Sequence, residues 1–277
     1  MPVSRGSVHH PLKEDFFNSV RSIALPGSTA RRASAAERSA VQDRLLRKFG
    51  FENVVLFPFA RSAFHALLRS LDLPINSEIL MTPITIGPML EVVTDLGYRP
   101  VFVDIELETF SVNLIDLEEK LKGRPACFLL TYLFGYVPDI ERISELCRRA
   151  DIPLIEDISQ NIGATFGGQA LGSFGCAAIY SASLFKYVDS YNGAFAATKD
   201  RSLAQRLEQE AATYSEPDSR RVGRIIRRSL AWNVLLRRVP FSVFVFPSLW
   251  ILKWVNREKL DSLLGAKIGY AARAELP

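Results

Sequence analysis

Cysteine is scarce in this chain of 277 residues. Cys127, Cys147 and Cys176 are the only three, and no two of them stand in a C-x-x-C spacing. That excludes a disulfide scaffold and a cysteine-built zinc site, and it fits a reducing cytoplasm. Histidine is equally rare. The adjacent pair His9–His10 has no third ligand in view and reads as part of a polar N-terminal arm. The opening stretch MPVSRGSVHHPLKEDF lacks the apolar core of a secretory signal. Internal repeats and low-complexity tracts are absent. In the C-terminal part, the longest stretch without charge runs from Val239 to Leu252, 14 residues interrupted by Pro240 and Pro247. A bilayer span needs about 20.

What is present is the balance of a globular protein, 48% hydrophobic and 23% charged, long enough for one large domain or one domain and part of another. The net charge of +4 is unevenly spread: residues 201–277 hold 14 Lys/Arg against 7 Asp/Glu, whereas the first 200 are slightly acidic. The basic excess therefore belongs to the tail and says nothing about a ligand of the main body.

Strand and helix signals alternate through the middle of the chain. SAAERSAVQDRLLRKFG (34–50) reads as a helix, with Ser34 and Glu37 forming a capping box and Gly50 closing it. NVVLFPF, EILMTP, RPVFVDI, ACFLLTYL, IPLIEDIS, CAAIYSAS and GAFAATKD read as strands, most of them separated by helical segments such as RSAFHALLRSLDL and DIERISELCRRAD. Short apolar runs with little alternation suit strands covered on both faces. Their spacing predicts right-handed βαβ units and a three-layer α/β/α architecture around a mostly parallel sheet. Three segments follow: 1–50 as arm and helix, 51–200 as the main α/β domain, and 201–277 as a helical, basic and apolar segment. In such sheets ligands sit beyond the carboxyl ends of the strands, so a polar residue just after a strand is a candidate.

That filter selects a few positions. Asp157 stands where an Ile/Leu strand ends. Lys186 follows 29 residues later, between Phe185 and Tyr187, close after another strand, and Ser181 lies five residues before it. Arg61 and Ser62 open a helix directly after a strand. A lysine amine reacts when it is neutral, which desolvation by aromatic neighbours favours, and it then forms an imine with a carbonyl. A helix N-terminus with a hydroxyl suits a phosphate. A carboxylate suits the ring nitrogen of pyridoxal phosphate. Each signal alone is weak, since a strand-end Asp is common, a loop Lys is usually solvated and a Ser before a helix is usually a cap.

As an ordered set they resemble the DegT/DnrJ/EryC1/StrS family of pyridoxal-phosphate-dependent sugar aminotransferases of fold type I. The resemblance covers about residues 50–200. It rests on GYRPVFVDIELETFSVN, on YLFGYVPDIERISELCRRADIPLIEDISQNIGATFGGQALGSFGCAAIYS and on the lysine of SLFKY. It implies that Lys186 is the catalytic, cofactor-holding lysine and that Asp157 pairs with the pyridinium nitrogen. It places Gln160 on the ring-hydroxyl side, Ser181 at the phosphate, and Arg61–Ser62 at the phosphate turn. Asn192 is the nearest match to an asparagine that the neighbouring subunit of a homodimer contributes. The implied cofactor is pyridoxal 5′-phosphate, and the implied substrates are an amino-acid donor, glutamate, and a keto sugar, often nucleotide-linked. The chain departs from the family pattern at Arg61 (usually Gly), at Ile86 (usually a stacking aromatic), at Tyr132 (usually His) and at VDSYNG after the lysine. The family's C-terminal small domain is expected to be truncated or absent.

The tail carries the remaining signal. At 100° per residue Arg224, Arg227, Arg228 and Arg238 fall on one helix face, and Ile225, Trp232 and Leu236 on another. Residues 224–254 either pack on the large domain or a second subunit, or lie in a membrane interface. Nucleic acid is not expected, because the segment lacks aromatics at the spacing of a stacking platform. Two other functions stay open: a non-catalytic relative acting as a membrane-surface or scaffold protein, and another pyridoxal-phosphate reaction such as dehydration or desulfuration.

Overall fold

The structure, a computed structural model, describes residues 11–24, 34–215 and 218–255; the His9–His10 pair lies outside the described residues. Two compact units cut across the sequence segments 1–50, 51–200 and 201–277. An α/β unit takes 33–182 and 193–214. A helical unit takes the described residues among 1–32, 183–192 and 215–277.

In the α/β unit, α2 (Ala35–Phe49) begins at the expected capping box. The Ser34 hydroxyl accepts from the Glu37 N–H and the Glu37 carboxylate accepts from the Ser34 N–H; Gly50 closes the helix in the left-handed region at φ 71°. The seven strand signals become β1 (Asn53–Phe57), β2 (Glu78–Met81), β3 (Arg99–Phe102), β4 (Cys127–Thr131), β5 (Leu154–Asp157), β8 (Ala177–Ser181) and β9 (Ala194–Thr198). They form one sheet in the order β1-β9-β8-β5-β4-β2-β3. All run parallel except β9, which pairs antiparallel with both β1 and β8. No helix separates β8 from β9, so the chain returns without a crossover. A small hairpin, β6 (Thr165–Phe166) and β7 (Gln169–Ala170), turns through Gly167 and Gly168 at positive φ. Sequence periodicity gave no sign of it, because two-residue strands are too short to alternate.

Helices α3 (Ala60–Ser70), α4 (Gly87–Asp95) and α7 (Arg201–Thr213) pack on one face. Their Phe64, Leu67, Leu68, Val92 and Leu207 meet Val55, Ile79, Leu129, Ile155, Ile179 and Ala196 of the strands. The other face presents Phe128, Leu130, Leu154, Tyr180 and Phe195, all buried. Tyr180 stacks on Phe195 at 5.2 Å, and Phe51 links Phe195 to Phe49 of α2. Helices α5 (Leu114–Leu121) and α6 (Ile140–Arg149) complete the set of this unit.

The helical unit contains α1 (Leu12–Ala24), α8 (Ser219–Leu235) and an apolar run made of α9 (Arg238–Pro240), a π-turn (Phe241–Val245) and α10 (Phe246–Val255). The α1 helix was not anticipated, although LKEDFFNSVRSIA has acids in its first turn and an arginine in its last. It packs along α8. The carboxylate of Asp15, which is fully buried, accepts from Ser229 Oγ and, at 2.9 Å, from Asn233 Nδ2. One expectation is corrected here: α8 ends at Leu235, so Arg238 does not share a face with Arg224, Arg227 and Arg228. The axes of 220–235 and 238–252 meet at 76°. Among the described residues no single helix is long and apolar enough to cross a membrane; only the bent pair meets that length and composition together.

Candidate active site

Because β1, β8, β5, β4 and β2 run parallel, their carboxyl ends share one edge of the sheet, and of the residues selected from sequence Asp157, Ser181, Arg61 and Ser62 stand at the ends of β5, β8 and β1 along it. Strand pairing puts Thr131 beside Asp157 and Asp157 beside Ile179. Alternation along the strands then turns Thr131, Asp157 and Ser181 toward the face covered by α3 and α4. Asp157 is 7% exposed, and its Oδ1 accepts from the Ser159 N–H at 2.9 Å. Ser159 in turn uses its hydroxyl to accept from the Ser181 N–H at 3.0 Å, tying the ends of β5 and β8 together.

Its neighbour Glu156 points the opposite way. That carboxylate, fully buried, accepts from the Gly172, Phe174 and Gly175 N–H groups and from the Tyr132 hydroxyl, all at 2.7–2.8 Å. Burial raises its pKa, and the four donors pull it back toward the charged form. The loop it gathers leaves no room for a side chain at Gly175, where a Cβ would lie 2.2 Å from the Leu154 carbonyl oxygen. Sequence reasoning passed over Glu156, although the doublet Glu156–Asp157 at a strand end was visible.

Helix α3 follows β1 directly. Its N-cap, Phe59, makes no side-chain capping bond, and no acid stands in the first turn. The first N–H groups of the helix therefore face the carboxyl edge without an intrahelical partner. Within the first turn Ser62 is 1% exposed, and its Oγ has no hydrogen-bond partner. The Thr82 and Thr131 hydroxyls are also buried and unpartnered. The Arg61 guanidinium lies over the Phe59 ring at 4.2 Å. Such a corner can hold an anion through backbone dipoles, and the buried hydroxyl can add a further donor.

Two residues that sequence reasoning missed support this turn from behind. Tyr214 donates its hydroxyl proton to the Ser62 carbonyl at 3.1 Å, and His65 Nδ1 lies 2.8 Å from the same hydroxyl. Burial pushes the Tyr214 phenol up to about 12 and the His65 imidazole down. Tyr214→Phe should lower the melting temperature by about 2–4 °C, the loss of about 1 kcal/mol from a domain of this size. An unchanged melt would show that this phenol carries no weight.

Gln160 is exposed, and its side-chain oxygen accepts from the Phe134 N–H at 2.8 Å. With Asn161, which donates to the Tyr136 carbonyl, it holds a loop on which Phe134 and Tyr136 lie against Phe110. Ile86, the N-cap of α4, is 47% exposed, so no aromatic occupies its place. Burial pushes the Cys176 thiol up to about 11 and the Cys147 thiol up to about 12, and raises the Cys127 thiol as well, which disfavours the reactive thiolate at all three.

Lys186 and Asn192 lie on the segment 183–192, which is grouped with the helical unit and whose stems Ala182 and Gly193 are joined by a 2.7 Å hydrogen bond. The loop is fastened by a residue that sequence reasoning did not select. Asp189 accepts from the Phe185 N–H through one oxygen (3.1 Å) and from the Tyr191 N–H through the other (2.8 Å). Both of those residues hold positive φ, 74° and 65°, conformations that need such support. Phe185 meets Trp232 of α8 edge-on, and the Tyr191 hydroxyl accepts from Asn18 of α1. Lys186 itself is half-buried and donates its N–H to the Ser183 carbonyl. Of its two aromatic neighbours Phe185 is half-buried and Tyr187 is 65% exposed.

The profile of the DegT/DnrJ/EryC1/StrS aminotransferase family matches residues 30–224. The chain belongs to that family. It is 30% identical over 156 residues to a pleiotropic regulatory protein of Geobacillus stearothermophilus, covering 56% of this chain and 42% of that one. It is 24% identical over 198 residues to the UDP-4-amino-4-deoxy-L-arabinose–oxoglutarate aminotransferase of Shewanella sediminis, covering 72% and 50%. The aminotransferase TlmJ from Streptoalloteichus hindustanus superposes with a TM-score of 0.66 at 19% identity, over 83% of this chain and 66% of that one. The chain thus spans about half the length of the curated relatives it matches.

At Tyr132, where the resemblance leads one to expect a histidine, a buried phenol closes the Glu156 cluster on the face of the sheet opposite Asp157.

Proposed function

We propose that this chain is a pyridoxal-phosphate-dependent aminotransferase that moves an amino group from glutamate to a keto sugar carried on a nucleotide, and that it works as a homodimer. The observation that carries the proposal is the carboxyl edge of the α/β unit, where the Asp157 carboxylate and the uncapped start of α3 with the orphaned Ser62 hydroxyl share one side of one sheet. A donor-rich corner suits a phosphate monoester, and a buried carboxylate suits a cationic ring nitrogen, so the residues present fit the cofactor. The name of the Shewanella relative, an aminotransferase of an aminosugar nucleotide and oxoglutarate, supports the substrate class.

When bound, pyridoxal phosphate supplies an electron sink for the donor's α-carbon. Asp157 holds the proton at the ring nitrogen. Ser62 with the first N–H groups of α3, Arg61, Ser181 and an Asn192 from the neighbouring subunit hold the phosphate, and Gln160 sits on the ring-hydroxyl side. Lys186 would supply the amine that secures the cofactor and would serve as the base at the donor carbon and the acid at the acceptor carbon.

The exposed Ile86, in place of a stacking aromatic, favours a second reading, a non-catalytic relative that keeps the fold. Visible absorbance of the chain with added pyridoxal phosphate separates the two, with Lys186→Ala measured alongside. A band that borohydride abolishes, that the variant lacks and that glutamate bleaches is the expected result. A band shared by both proteins would overturn the assignment of Lys186, and a band that glutamate leaves intact would favour the second reading.

A further inference from the structure

The helical unit is sorted the wrong way round for water. On α1 the buried residues are Asp15, Ser19 and Ser22; the exposed ones include Phe16, Phe17 (58%), Val20 and Ile23. The facing surface of α8 buries Gly223, Ser229 and Asn233 beside Ile226. A Cβ on Gly223 would lie 3.5 Å from that of Ser22, an ordinary contact distance, so α1 and α8 lie close at Ser22 and Gly223. In water the expected arrangement is the reverse. Small and polar residues between helices, with apolar side chains outside, are what an apolar solvent selects.

The apolar run has the same character. Val239, Val243, Phe244, Phe246, Trp250 and Trp254 (75%) are all exposed, and they do not confine themselves to one stripe. A helix that is apolar all round belongs in a core or in lipid. Its 14 uncharged residues extend about 21 Å, too short for the hydrocarbon thickness of about 30 Å. In the sequence Arg237 and Arg238 precede this run and Lys253 follows it, the flanking pattern that suits an interfacial segment.

Charge selects the kind of surface. From 219 to 255 there are eight Lys/Arg and no Asp/Glu. Arg220, Arg221, Arg224, Arg227 and Arg228 fall within about 120° of arc on α8, and all five are exposed. A second copy meeting this face about a twofold axis would set arginines against arginines. Anionic headgroups are the complementary partner.

We infer that α1, α8 and the run 238–255 form a one-leaflet anchor that seats this chain on an anionic lipid surface, with the arginine arc at the headgroups and the apolar run in the interface plane.

The test needs neither cofactor nor turnover. All three tryptophans, Trp232, Trp250 and Trp254, lie in this segment, so tryptophan emission of the full chain reports on it alone. With vesicles about one-third phosphatidylglycerol in phosphatidylcholine, emission should shift to the blue and be quenched by brominated acyl chains. Affinity should exceed that for pure phosphatidylcholine at least about tenfold and fall with salt. Arg224→Glu with Arg228→Glu should lose the preference for anionic vesicles, and Trp254→Ser should lose most of the quenching. Both change exposed side chains, and an unaltered melting temperature confirms folding. Equal binding to neutral and anionic vesicles would overturn the inference. So would emission indifferent to vesicles but sensitive to dilution, which would assign the face to a second copy.

Discussion

Asp157→Asn should slow glutamate-driven amino transfer by about 10²- to 10⁴-fold with little change in melting temperature. Removing one member of a buried ion pair costs about 3–5 kcal/mol, and each 1.36 kcal/mol is a factor of ten in rate. Asparagine keeps the side-chain oxygen that accepts from the Ser159 N–H, so the turn after β5 is retained. What it removes is the negative charge proposed to hold a proton at the ring nitrogen of bound pyridoxal phosphate. Rates of bleaching by glutamate in stopped flow, beside thermal melts, measure the two consequences separately. A variant within threefold of wild type in rate would show that this carboxylate does not pair with the ring.

Glu156→Ala should leave the chemistry unaddressed and strike the fold. Three N–H groups and one phenol converge on this carboxylate in a buried site. Each buried donor left without an acceptor costs about 1–3 kcal/mol. With water replacing some of the bonds, a net loss of about 3–5 kcal/mol is expected. At about 2–4 °C per kcal/mol for a domain of this length, the melting temperature should fall by about 6–20 °C. Tyr132→Phe removes one donor and should cost about 1 kcal/mol. The two changes should be non-additive, because the phenol has nothing left to bond once the carboxylate is gone. A melt of Glu156→Ala within 2 °C of wild type would sink this account.

Much of this was legible in the sequence. The Ser34–Glu37 capping box is a local device whose geometry follows from spacing alone, and the structure contains it. The seven main strands announce themselves through short apolar runs, since a strand covered on both faces has no polar side to show. The place of Asp157 at the carboxyl edge is legible because it is the last residue of such a run. Glu156 is not: strand alternation says that neighbours point to opposite faces, but nothing local says which face carries the ligand and which buries a four-donor cluster. Asp189 was hidden for a similar reason. A loop aspartate is ordinary until its two oxygens are found holding Phe185 and Tyr191 at positive φ.

The alternation of strands and helices and the family could be read along the chain, because propensity, capping and hydrophobic period act over a few residues. Tertiary structure alone decided the antiparallel course of β9, the partners of Glu156, and the inverted sorting of α1 against α8. Those depend on which surface meets which, and that is settled by residues far apart in the chain: Asp15 finds Ser229 and Asn233 across more than two hundred positions. Burial of a polar group is tolerable only where its distant partner arrives, and short-range pattern carries no record of that arrival.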